Sequence, residues 1–228
     1  MKVIEVKKLN KVYKDTAVDV HAVNDISFDI EQGEFTAIVG PSGCGKTTLL
    51  NLLGGLDNPS DGEIIINSQN ISSFSERQMV DFRMQNIGFV FQAYNLIPVL
   101  TAKENVEFIM HLQKRSKKER EERSMQLLND VGIGDKADVR PSHLSGGQQQ
   151  RVAVARALAS KPQFVLADEP TANLDSKSTE TLLDIMEQLN KKENITFIFA
   201  THDQRVVKKA HRVITLEDGK ISEDKTVK

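Results

Sequence analysis

The apolar positions of the first 70 residues either alternate with polar positions or form short runs, and both patterns are typical of β-strands. Alternation predicts strands over Val3–Lys8 and Ala22–Ile30, and the apolar run Phe35–Val39 fits a strand buried in a parallel sheet. The leucine-rich stretch Lys46–Leu56 predicts a helix. A turn of Asn, Pro, Ser, Asp and Gly then leads to a strand over Glu63–Asn67.

The second half of the chain first turns helical and then returns to strands. The stretch from Ala93 to Leu158 predicts helices, and the apolar runs Phe164–Ala167 and Thr196–Ala200 are strand-sized, each with a helix after it. A last strand pair is expected over 213–216 and 220–222, joined by a turn at Asp218-Gly219. Buried strands alternating with helices predict an α/β fold with a mainly parallel sheet and an inserted helical lobe. We expect one domain over 1–228, with a core lobe of about 1–92 and 162–228 and a helical lobe of about 93–161.

Composition narrows the classes of protein that remain. The chain has 30 Lys and Arg against 32 Asp and Glu, so its net charge of −2 excludes a generally basic surface that coats nucleic acid. Its apolar stretches are far shorter than the roughly 20 residues needed to span a bilayer, and the N-terminus has no apolar core of a signal peptide. Cys44 is the single cysteine, which excludes an internal disulfide and fits a reducing compartment. A cytoplasmic protein is therefore expected.

One segment carries the pattern G-x-x-x-x-G-K-[ST] of a phosphate-binding loop. It consists of Gly40, Pro41, Ser42, Gly43, Cys44, Gly45, Lys46 and Thr47. The glycines let backbone N–H groups point inward at phosphate oxygens, and the following helix directs its positive end to the same place. Lys46 can reach the β- and γ-phosphates, and Thr47 can offer its hydroxyl to Mg²⁺. The alternative is a glycine-rich turn with an incidental lysine, which the strand before and the helix after the loop disfavour.

Two carboxylates follow the buried run Phe164–Ala167. A parallel strand ending here would deliver Asp168 beside the phosphate-binding loop, where it can hold Mg²⁺ or the water bound to it. Glu169 lies one residue further, where a base could orient an attacking water. Two solvated acids at a strand end are the alternative interpretation.

A second motif for anions precedes the helical run Gln149–Leu158. It reads Leu144, Ser145, Gly146, Gly147 and Gln148, and it combines a hydroxyl, backbone N–H groups and a helix N-terminus. One nucleotide needs only one phosphate-binding loop, so a second such motif requires an explanation. The sequence here resembles the ATP-binding-cassette (ABC) ATPases, whose signature motif is LSGGQ. In that family the signature of one subunit closes over the γ-phosphate held by the other, which implies that residues 145–148 bind nucleotide.

The resemblance assigns roles to further residues. Gln92 is similar to the Q-loop glutamine that senses Mg²⁺ and water, and His202 to the switch histidine that contacts the γ-phosphate. The run Asn173–Asp175 resembles the D-loop at the dimer interface, which places Asp175 near the nucleotide. Tyr13 stands where the family has a ring that stacks on adenine, and Thr48 completes the nucleotide-binding set. The residues expected to take part in catalysis are Glu169, His202, Gln92 and Lys46. Those expected to hold the metal ion are Thr47, Gln92 and Asp168.

Within the family, the runs 91–98 and 101–106 are similar to the branch that contains lipoprotein-releasing, macrolide-exporting and cell-division cassettes. The extension Thr16–Val23 and the run Leu174–Ser176 agree with that branch. Ala172 departs from it, because relatives commonly have glycine there. This departure puts the path of the D-loop in question and leaves the chemistry intact.

The resemblance implies an α/β fold with a P-loop NTPase core and a mainly parallel sheet, an antiparallel N-terminal β subdomain and an inserted α-helical subdomain. It also implies an ATPase that uses ATP and Mg²⁺, dimerises on binding ATP and powers transport by polytopic membrane permease subunits. It would lie at the cytoplasmic face of the membrane, with no nucleic acid as partner. A soluble cassette of translation or DNA repair is the alternative. Translation-type members usually have two cassettes, and too few residues separate Lys46 from Leu144 for the long coiled coil of repair-type members. A small P-loop kinase or a non-hydrolysing module would have no use for LSGGQ.

A last expectation concerns the surface. The segment Tyr94–Leu100 concentrates apolar residues and a proline in a stretch expected to be exposed. Such a segment suits docking of a short cytoplasmic helix of the membrane partner. Packing within the helical lobe is the alternative. The mixed-charge run Lys114–Arg123 is expected to be a solvated helix face.

Overall fold

The computed structural model describes residues 1–14 and 18–227. Its strands are β1 (Lys2–Tyr13), β2 (Val20–Glu31), β3 (Phe35–Val39), β4 (Asp61–Ile66), β5 (Gln69–Asn70), β6 (Ile87–Val90), β7 (Phe164–Asp168), β8 (Thr196–Ala200), β9 (Arg212–Glu217) and β10 (Lys220–Thr226). Its α-helices are α1 (Lys46–Leu53), α2 (Glu76–Asn86), α3 (Ala102–Leu112), α4 (Lys117–Asp130), α5 (Gly146–Ala159), α6 (Ser176–Glu193) and α7 (Gln204–Lys209). Short 3₁₀ turns span Ile71–Ser73, Gly134–Lys136 and Pro141–His143.

Two sheets organise these elements. The first has the order β2-β1-β4-β5 and is antiparallel. The second has the order β10-β9-β3-β8-β7-β6, in which β9 to β6 run parallel and β10 adds an antiparallel edge. Every residue of β8 is buried, and so is every residue of β3 and β7 except the last. The α/β fold class is confirmed, because strands covered on both faces need continuous apolar runs and the sequence has them.

The register of the parallel strands fixes where chemistry can occur. Ile38 of β3 pairs with Ala200 of β8, and Ala200 in turn lies beside Asp168 of β7. The carboxyl ends of all three strands therefore meet at one edge of the sheet. In open α/β sheets, ligands bind at this edge.

The inserted helices pack on one another and on the sheet. Val106 of α3, Leu128 of α4 and Val152 of α5 belong to one buried apolar cluster, which also contains Val165 of β7 and Phe197 of β8. Each of the three helices begins with a capping box, in which an N-cap hydroxyl and a Glu or Gln three residues later bond each other's backbone N–H. In residues 1–14 and 18–227, no helix is long and apolar enough to cross a membrane.

The structure differs from the sequence-based expectation in two segments. Helix α2 lies outside the predicted elements, because only Met79 and Phe82 are buried on it and its other apolar residues, Val80 and Met84, are at least partly exposed. The helix expected from Ala93 begins only at Ala102. Tyr94 and Asn95 have left-handed φ angles of 56° and 50°, which a helix does not accommodate.

The extension Thr16–Val23 lies partly outside the described residues, since the structure describes nothing between 14 and 18. From Val20 onward the extension belongs to β2, which pairs with β1. The mixed-charge run includes the exposed face of α4, where Lys117 and Lys118 lie one turn from Glu121 and Glu122. These lysines are solvated as expected, whereas Arg120 and Arg123 turn inward and pair with Glu107 and Glu193, so the expectation is wrong for the two arginines.

Candidate active site

The loop between β3 and α1 has a backbone that only glycine adopts at two positions. Gly40 has φ 148°, and a Cβ there would lie 2.2 Å from the carbonyl oxygen of Leu216. Gly45 has φ 105°, and a Cβ there would lie 2.1 Å from the carbonyl oxygen of Ala22. A side chain at either place would collide with backbone that cannot give way. The glycine spacing is therefore required by the path of the loop.

The lysine of this loop turns back over it. Lys46 Nζ donates hydrogen bonds to the carbonyl oxygens of Gly40 (2.8 Å) and Pro41 (2.9 Å). Lys46 is also the first residue of α1, whose backbone bonding starts with Leu49 N–H donating to the Gly45 carbonyl (2.8 Å). The cation and the positive end of the helix dipole thus occupy the same small region, which favours an anion there.

A hydroxyl and a carboxylate lie side by side next to the loop. Thr47 Oγ1 donates to Asp168 Oδ1 at 3.2 Å. Burial raises the pKa of Asp168, and the nearby Glu169 adds to the rise, while Thr47 and Lys46 oppose it. These oxygen atoms are the ligands that Mg²⁺ prefers. The described residues hold no cluster of three His, Cys, Asp or Glu side chains able to bind a metal alone, and Mg²⁺ bound through one or two protein oxygens and substrate phosphates needs none.

Glu169 is held in a fixed orientation just after β7. Its φ of 44° is left-handed, and its backbone N–H donates to the Ala200 carbonyl at 2.9 Å. One carboxylate oxygen accepts a hydrogen bond from Thr201 Oγ1 (3.0 Å), and the other lies 2.6 Å from His202 Nδ1. The carboxylate is mostly buried, whereas the histidine side chain is 74% exposed. Two neighbours just after the adjacent strand β8 therefore hold the carboxylate in one orientation.

Lys46, Thr47, Glu169 and His202 line one open cleft of about 1020 Å³, large enough for a nucleotide. Asp168 does not line the cleft itself and reaches it through its contact with Thr47. The lining of the cleft includes Tyr13, Gly40, Pro41, Ser42, Gly43, Gly45, Lys46, Thr47, Thr48, Gln92, Glu169, Ala172 and His202. The structure thus brings together residues that are up to 189 positions apart in the chain. Cys44 is buried beneath the loop, with its sulfur 3.8 Å from Lys46 Nζ.

The signature segment lies elsewhere. Ser145 is the N-cap of α5: its hydroxyl accepts from Gln148 N–H (3.3 Å), and its own N–H donates to the Gln148 side chain (2.9 Å). A Cβ on Gly146 would lie 2.9 Å from the Tyr94 hydroxyl, and one on Gly147 would lie 3.1 Å from Ser178 Oγ. Among the described residues that line the cleft, none comes from 144–148.

Asp175 is likewise outside the cleft lining in this chain. It is the N-cap of α6, where its two carboxylate oxygens accept from Ser178 N–H (2.9 Å) and Ser178 Oγ (2.6 Å). These hydrogen bonds lower the pKa of Asp175. Asn173, two residues earlier, donates to the Gln92 carbonyl at 3.0 Å and so ties the two loops together.

Sequence reasoning missed Thr201 and the neighbours of Tyr13. Thr201 lies directly between the buried strand β8 and His202, a position that would have marked its hydroxyl as a partner of the site. Asp57 and Lys11 contact the hydroxyl and the ring of Tyr13. Asp57 is 44 residues from Tyr13, and no local pattern connects them.

Similarity to known proteins agrees with this geometry. A family model described as ABC transporter matches residues 23–172. An uncharacterized ABC transporter ATP-binding protein of Methanocaldococcus jannaschii is 49% identical over 220 residues, covering 96% of this chain and 98% of the relative. The macrolide export ATP-binding/permease protein MacB of Aggregatibacter actinomycetemcomitans is 44% identical over 98% of this chain, which spans 35% of that larger protein.

Solved structures give the same result. A dimeric, post-hydrolysis state of the ATP-binding cassette MJ0796 bound to ADP and Pi has a TM-score of 0.90 and 39% identity, with 99% of each chain covered. The cbiO1 subunit of a Clostridium perfringens ABC transporter complex has a TM-score of 0.89 and 31% identity, covering 99% of this chain and 88% of that one. The resemblance seen in the motifs is confirmed, including its relation to the macrolide-exporter branch. The chain belongs to the ABC transporter family, and it is an ATP-binding subunit that hydrolyses ATP.

Proposed function

We propose that two copies of this chain close around two ATP molecules and power export or extraction of a substrate by separate membrane subunits. The observation that carries this proposal is the separation of the two anion motifs. The phosphate-binding loop lines the cleft, whereas the signature at the start of α5 does not. A second subunit can supply the missing signature to each cleft, which produces a symmetric pair of sites. The dimeric MJ0796 cassette bound to ADP and Pi supports this arrangement.

On the side of the phosphate-binding loop, the backbone of 40–48 would hold the phosphates. Lys46 would leave its loop carbonyls and pair with the β- and γ-phosphate oxygens, which offer a stronger, charged partner. Thr47, Asp168 and Gln92 would hold Mg²⁺, which neutralises charge on the phosphates when bound. Tyr13 would stack on the base, and stacking alone discriminates little among bases.

For hydrolysis, Glu169 is the general base. Its carboxylate would accept a proton from a water whose oxygen attacks the γ-phosphorus, while the bond to the bridging oxygen breaks and ADP leaves. Thr201 and His202 orient the carboxylate from both sides. His202 is exposed enough to contact the γ-phosphate as well.

The partner's side would contribute Ser145, Gly146, Gly147 and Gln148 to the γ-phosphate. The N-terminus of α5 supplies a positive dipole end, and the Ser145 hydroxyl can donate to a phosphate oxygen. Asp175 lies at the corresponding end of α6, next to the signature through Ser178 and Gly147. Both helix ends therefore suit one interface.

The test uses the Glu169→Gln variant, which keeps size and hydrogen bonding but loses the base. Light scattering behind a sizing column should show monomers without nucleotide and a lasting dimer with saturating ATP at low salt. The wild-type protein should return to monomers as it hydrolyses its ATP. A Glu169→Gln protein that stays monomeric would refute closure around ATP, and one with normal turnover would remove Glu169 from catalysis.

We also propose that the segment Tyr94–Leu100 docks to the membrane subunits. The structure separates its exposed residues from those that pack inward. Val99 is 68% exposed, whereas Leu96 packs against the buried cluster of the helical lobe. Buried Asn105 fixes the segment through the backbone N–H (2.8 Å) and carbonyl (3.1 Å) of Ile97 and the carbonyl of Leu100 (3.1 Å). Val99 therefore presents an apolar side chain on a rigid loop, at a peripheral position suited to a cytoplasmic helix of a permease.

A pull-down from native membranes tests this docking. The wild-type chain should recover a polytopic membrane protein, and Val99→Asp should lose it while keeping basal ATPase activity. Leu96→Asp serves as the contrast, because a charge against the buried cluster should lower the melting temperature. Recovery of ribosomes or DNA instead of a membrane protein would favour the soluble alternative.

A further inference from the structure

Tyr13, at the end of β1, is held by a carboxylate from a distant turn. The ring is 37% exposed and lines the cleft. Its hydroxyl donates to Asp57 Oδ2 at 2.8 Å. Asp57 lies four residues after the end of α1, the helix whose first turn carries Lys46 and Thr47. One helix therefore links the phosphate-binding loop to the residue that holds the ring.

The ring also has a cation over one face. Lys11 Nζ lies 4.8 Å from the centroid of the Tyr13 ring, within cation–π range. The same ammonium donates to Asp57 Oδ1 (2.6 Å) and to the carbonyl of Asn58 (2.8 Å), and the lysine side chain is only 13% exposed. With one face covered by Lys11, a flat ligand has one face left on which to stack.

The carboxylate is built to remain charged. Partial burial acts to raise the pKa of Asp57, but the hydrogen bonds from Lys11, from Tyr13 and from the Asn58 backbone outweigh it and hold the pKa below its ordinary value. Burial, together with the bond to Asp57, raises the pKa of Tyr13, so its hydroxyl remains a donor. The contact is therefore a charge-assisted hydrogen bond at neutral pH.

We propose that Asp57 is a positioning residue that fixes the Tyr13 ring for stacking on the nucleobase, with Lys11 anchoring the carboxylate. This inference rests on the proposed stacking role of Tyr13. A tyrosine at a strand end otherwise loses rotamer freedom when a ligand binds, and that loss weakens binding. The Tyr13 ring avoids this loss of rotamer freedom, because Asp57 already binds its hydroxyl and Lys11 already covers one face. Since Asp57 follows α1, the helix also fixes the distance between the ring and the phosphate-binding loop.

The experiment measures the affinity of the full chain for Mg-ADP and for Mg-ribose 5-diphosphate by calorimetry. ADP lacks the γ-phosphate on which closure depends, so it reports binding to one subunit. Ribose 5-diphosphate lacks the base but keeps both phosphates. The variants are Tyr13→Ala, Tyr13→Phe, Asp57→Ala, Asp57→Asn and the double variant Tyr13→Phe/Asp57→Ala. Asp29→Ala, which removes a carboxylate paired with Lys2 in the same sheet, is the matched control.

Tyr13→Ala should weaken Mg-ADP binding roughly 5- to 150-fold, the range of base stacking on aromatic platforms. Asp57→Ala should weaken it about 3- to 10-fold, as expected for one hydrogen bond, and should leave ribose 5-diphosphate affinity unchanged. Tyr13→Phe should also weaken Mg-ADP binding, and the double variant should lose less than the sum of the two single losses, because both changes break the Tyr13–Asp57 hydrogen bond. Asp57→Asn keeps an acceptor for the hydroxyl and should retain most of the affinity, while Asp29→Ala should match the wild type.

Three results separate the possible failures. Unchanged ADP affinity in Tyr13→Ala would refute stacking itself. A loss in Tyr13→Ala without any loss in Asp57→Ala would overturn the positioning role and leave stacking intact. Equal losses for ADP and ribose 5-diphosphate in Asp57→Ala, or additive losses in the double variant, would show that Asp57 acts on the loop through α1 and not through the ring. If Asp57→Ala fails to fold, Tyr13→Phe removes the same hydrogen bond with the carboxylate in place, and an unchanged ADP affinity there would overturn the positioning role.

Discussion

The phosphate-binding loop and the signature segment are both glycine-containing stretches at the start of a helix, yet their glycines have different backbone conformations. In the loop, Gly40 and Gly45 have φ angles that side chains avoid, and a Cβ on either would meet backbone. In the signature, the glycines are helical residues of α5 whose nearest neighbours are the side chains of Tyr94 and Ser178. The first segment is forced into its shape, and the second is an ordinary helix start.

Their hydrogen bonding differs in the same way. Lys46 is bound to carbonyls of its own loop, an arrangement that an incoming phosphate can replace with a stronger partner. Ser145 and Gln148 satisfy each other in a closed capping box. The loop therefore shows its chemistry within one chain. The signature shows none of it alone, which agrees with a role that begins only when a second subunit arrives.

Removing the loop cation gives the largest expected effect. Lys46→Ala takes away the ammonium that would neutralise the β- and γ-phosphates, so ATP turnover should fall at least about 100-fold. Steady-state phosphate release from the purified variant is the measurement. Lys117→Ala, which removes an exposed lysine of α4, should turn over ATP normally.

Normal hydrolysis by a folded Lys46→Ala protein would contradict the proposed active site. Thermal melting without nucleotide separates this outcome from unfolding, because the hydrogen bonds of Lys46 among the described residues go only to two carbonyls and a sulfur of its own loop. The variant should therefore melt close to the wild type.

The next largest effect is expected in the signature segment, where a substitution should block ATP-dependent dimerisation. Ser145→Arg should let each chain bind ATP but prevent closure, because bulk and charge would meet the partner's phosphate site. Ser116→Arg is a matched control: Ser116 caps α4 through the same type of box, closed by Glu119. Each substitution should destabilise its helix by about 1 kcal/mol through loss of the cap, so only the position differs.

Light scattering with ATP in the Glu169→Gln background measures closure for both variants. Ser145→Arg should remain monomeric, and Ser116→Arg should dimerise. If both dimerise, the signature is not at the interface. If neither does, loss of the cap alone explains the result and the comparison between the two regions fails.

The two regions also differ in how far the sequence predicts them. The strands β3, β7 and β8 follow from short apolar runs, because strands covered on both faces leave no choice of residue. Helix α2 escapes prediction, since only Met79 and Phe82 are buried on it. The non-helical segment before α3 depends on Asn105, a buried side chain that bonds the backbone several residues away.

The candidate site shows the same division. The loop and Glu169 follow from local motifs, and the structure places them in one cleft. The pairs Asp57 with Tyr13 and Thr201 with Glu169 are made by residues 44 and 32 positions apart, so pattern alone does not reveal them. The roles of the individual residues remain predictions that the variants above test.

A smaller effect, on the melting temperature, distinguishes Asp168 beside the phosphate-binding loop from Asp175 next to the signature segment. Burial raises the pKa of Asp168, so its charged form destabilises the metal-free fold at pH 7, and this cost disappears as pH falls below the ordinary value near 3.8. Asp168→Asn keeps an acceptor for Thr47 and should raise the melting temperature in EDTA at pH 7, while turnover is lost. A lower melting temperature at pH 7 would show that the charge stabilises the empty site.

Substitution of Asp175 should change the melting temperature in the opposite direction and by the smallest amount. Its carboxylate caps α6, and the bonds from Ser178 lower its pKa, so the charged form stabilises the fold. This stabilisation is fully present above about pH 4, the ordinary value, and is lost as pH falls through the lowered pKa. Asp175→Ala should therefore lower the melting temperature by about 2 °C at pH 7, with a difference that shrinks toward pH 3. Because Asp168 and Asp175 are seven residues apart, opposite shifts in one assay would tie stability to position in the site. Shifts of the same sign would show that the two regions do not differ in this respect.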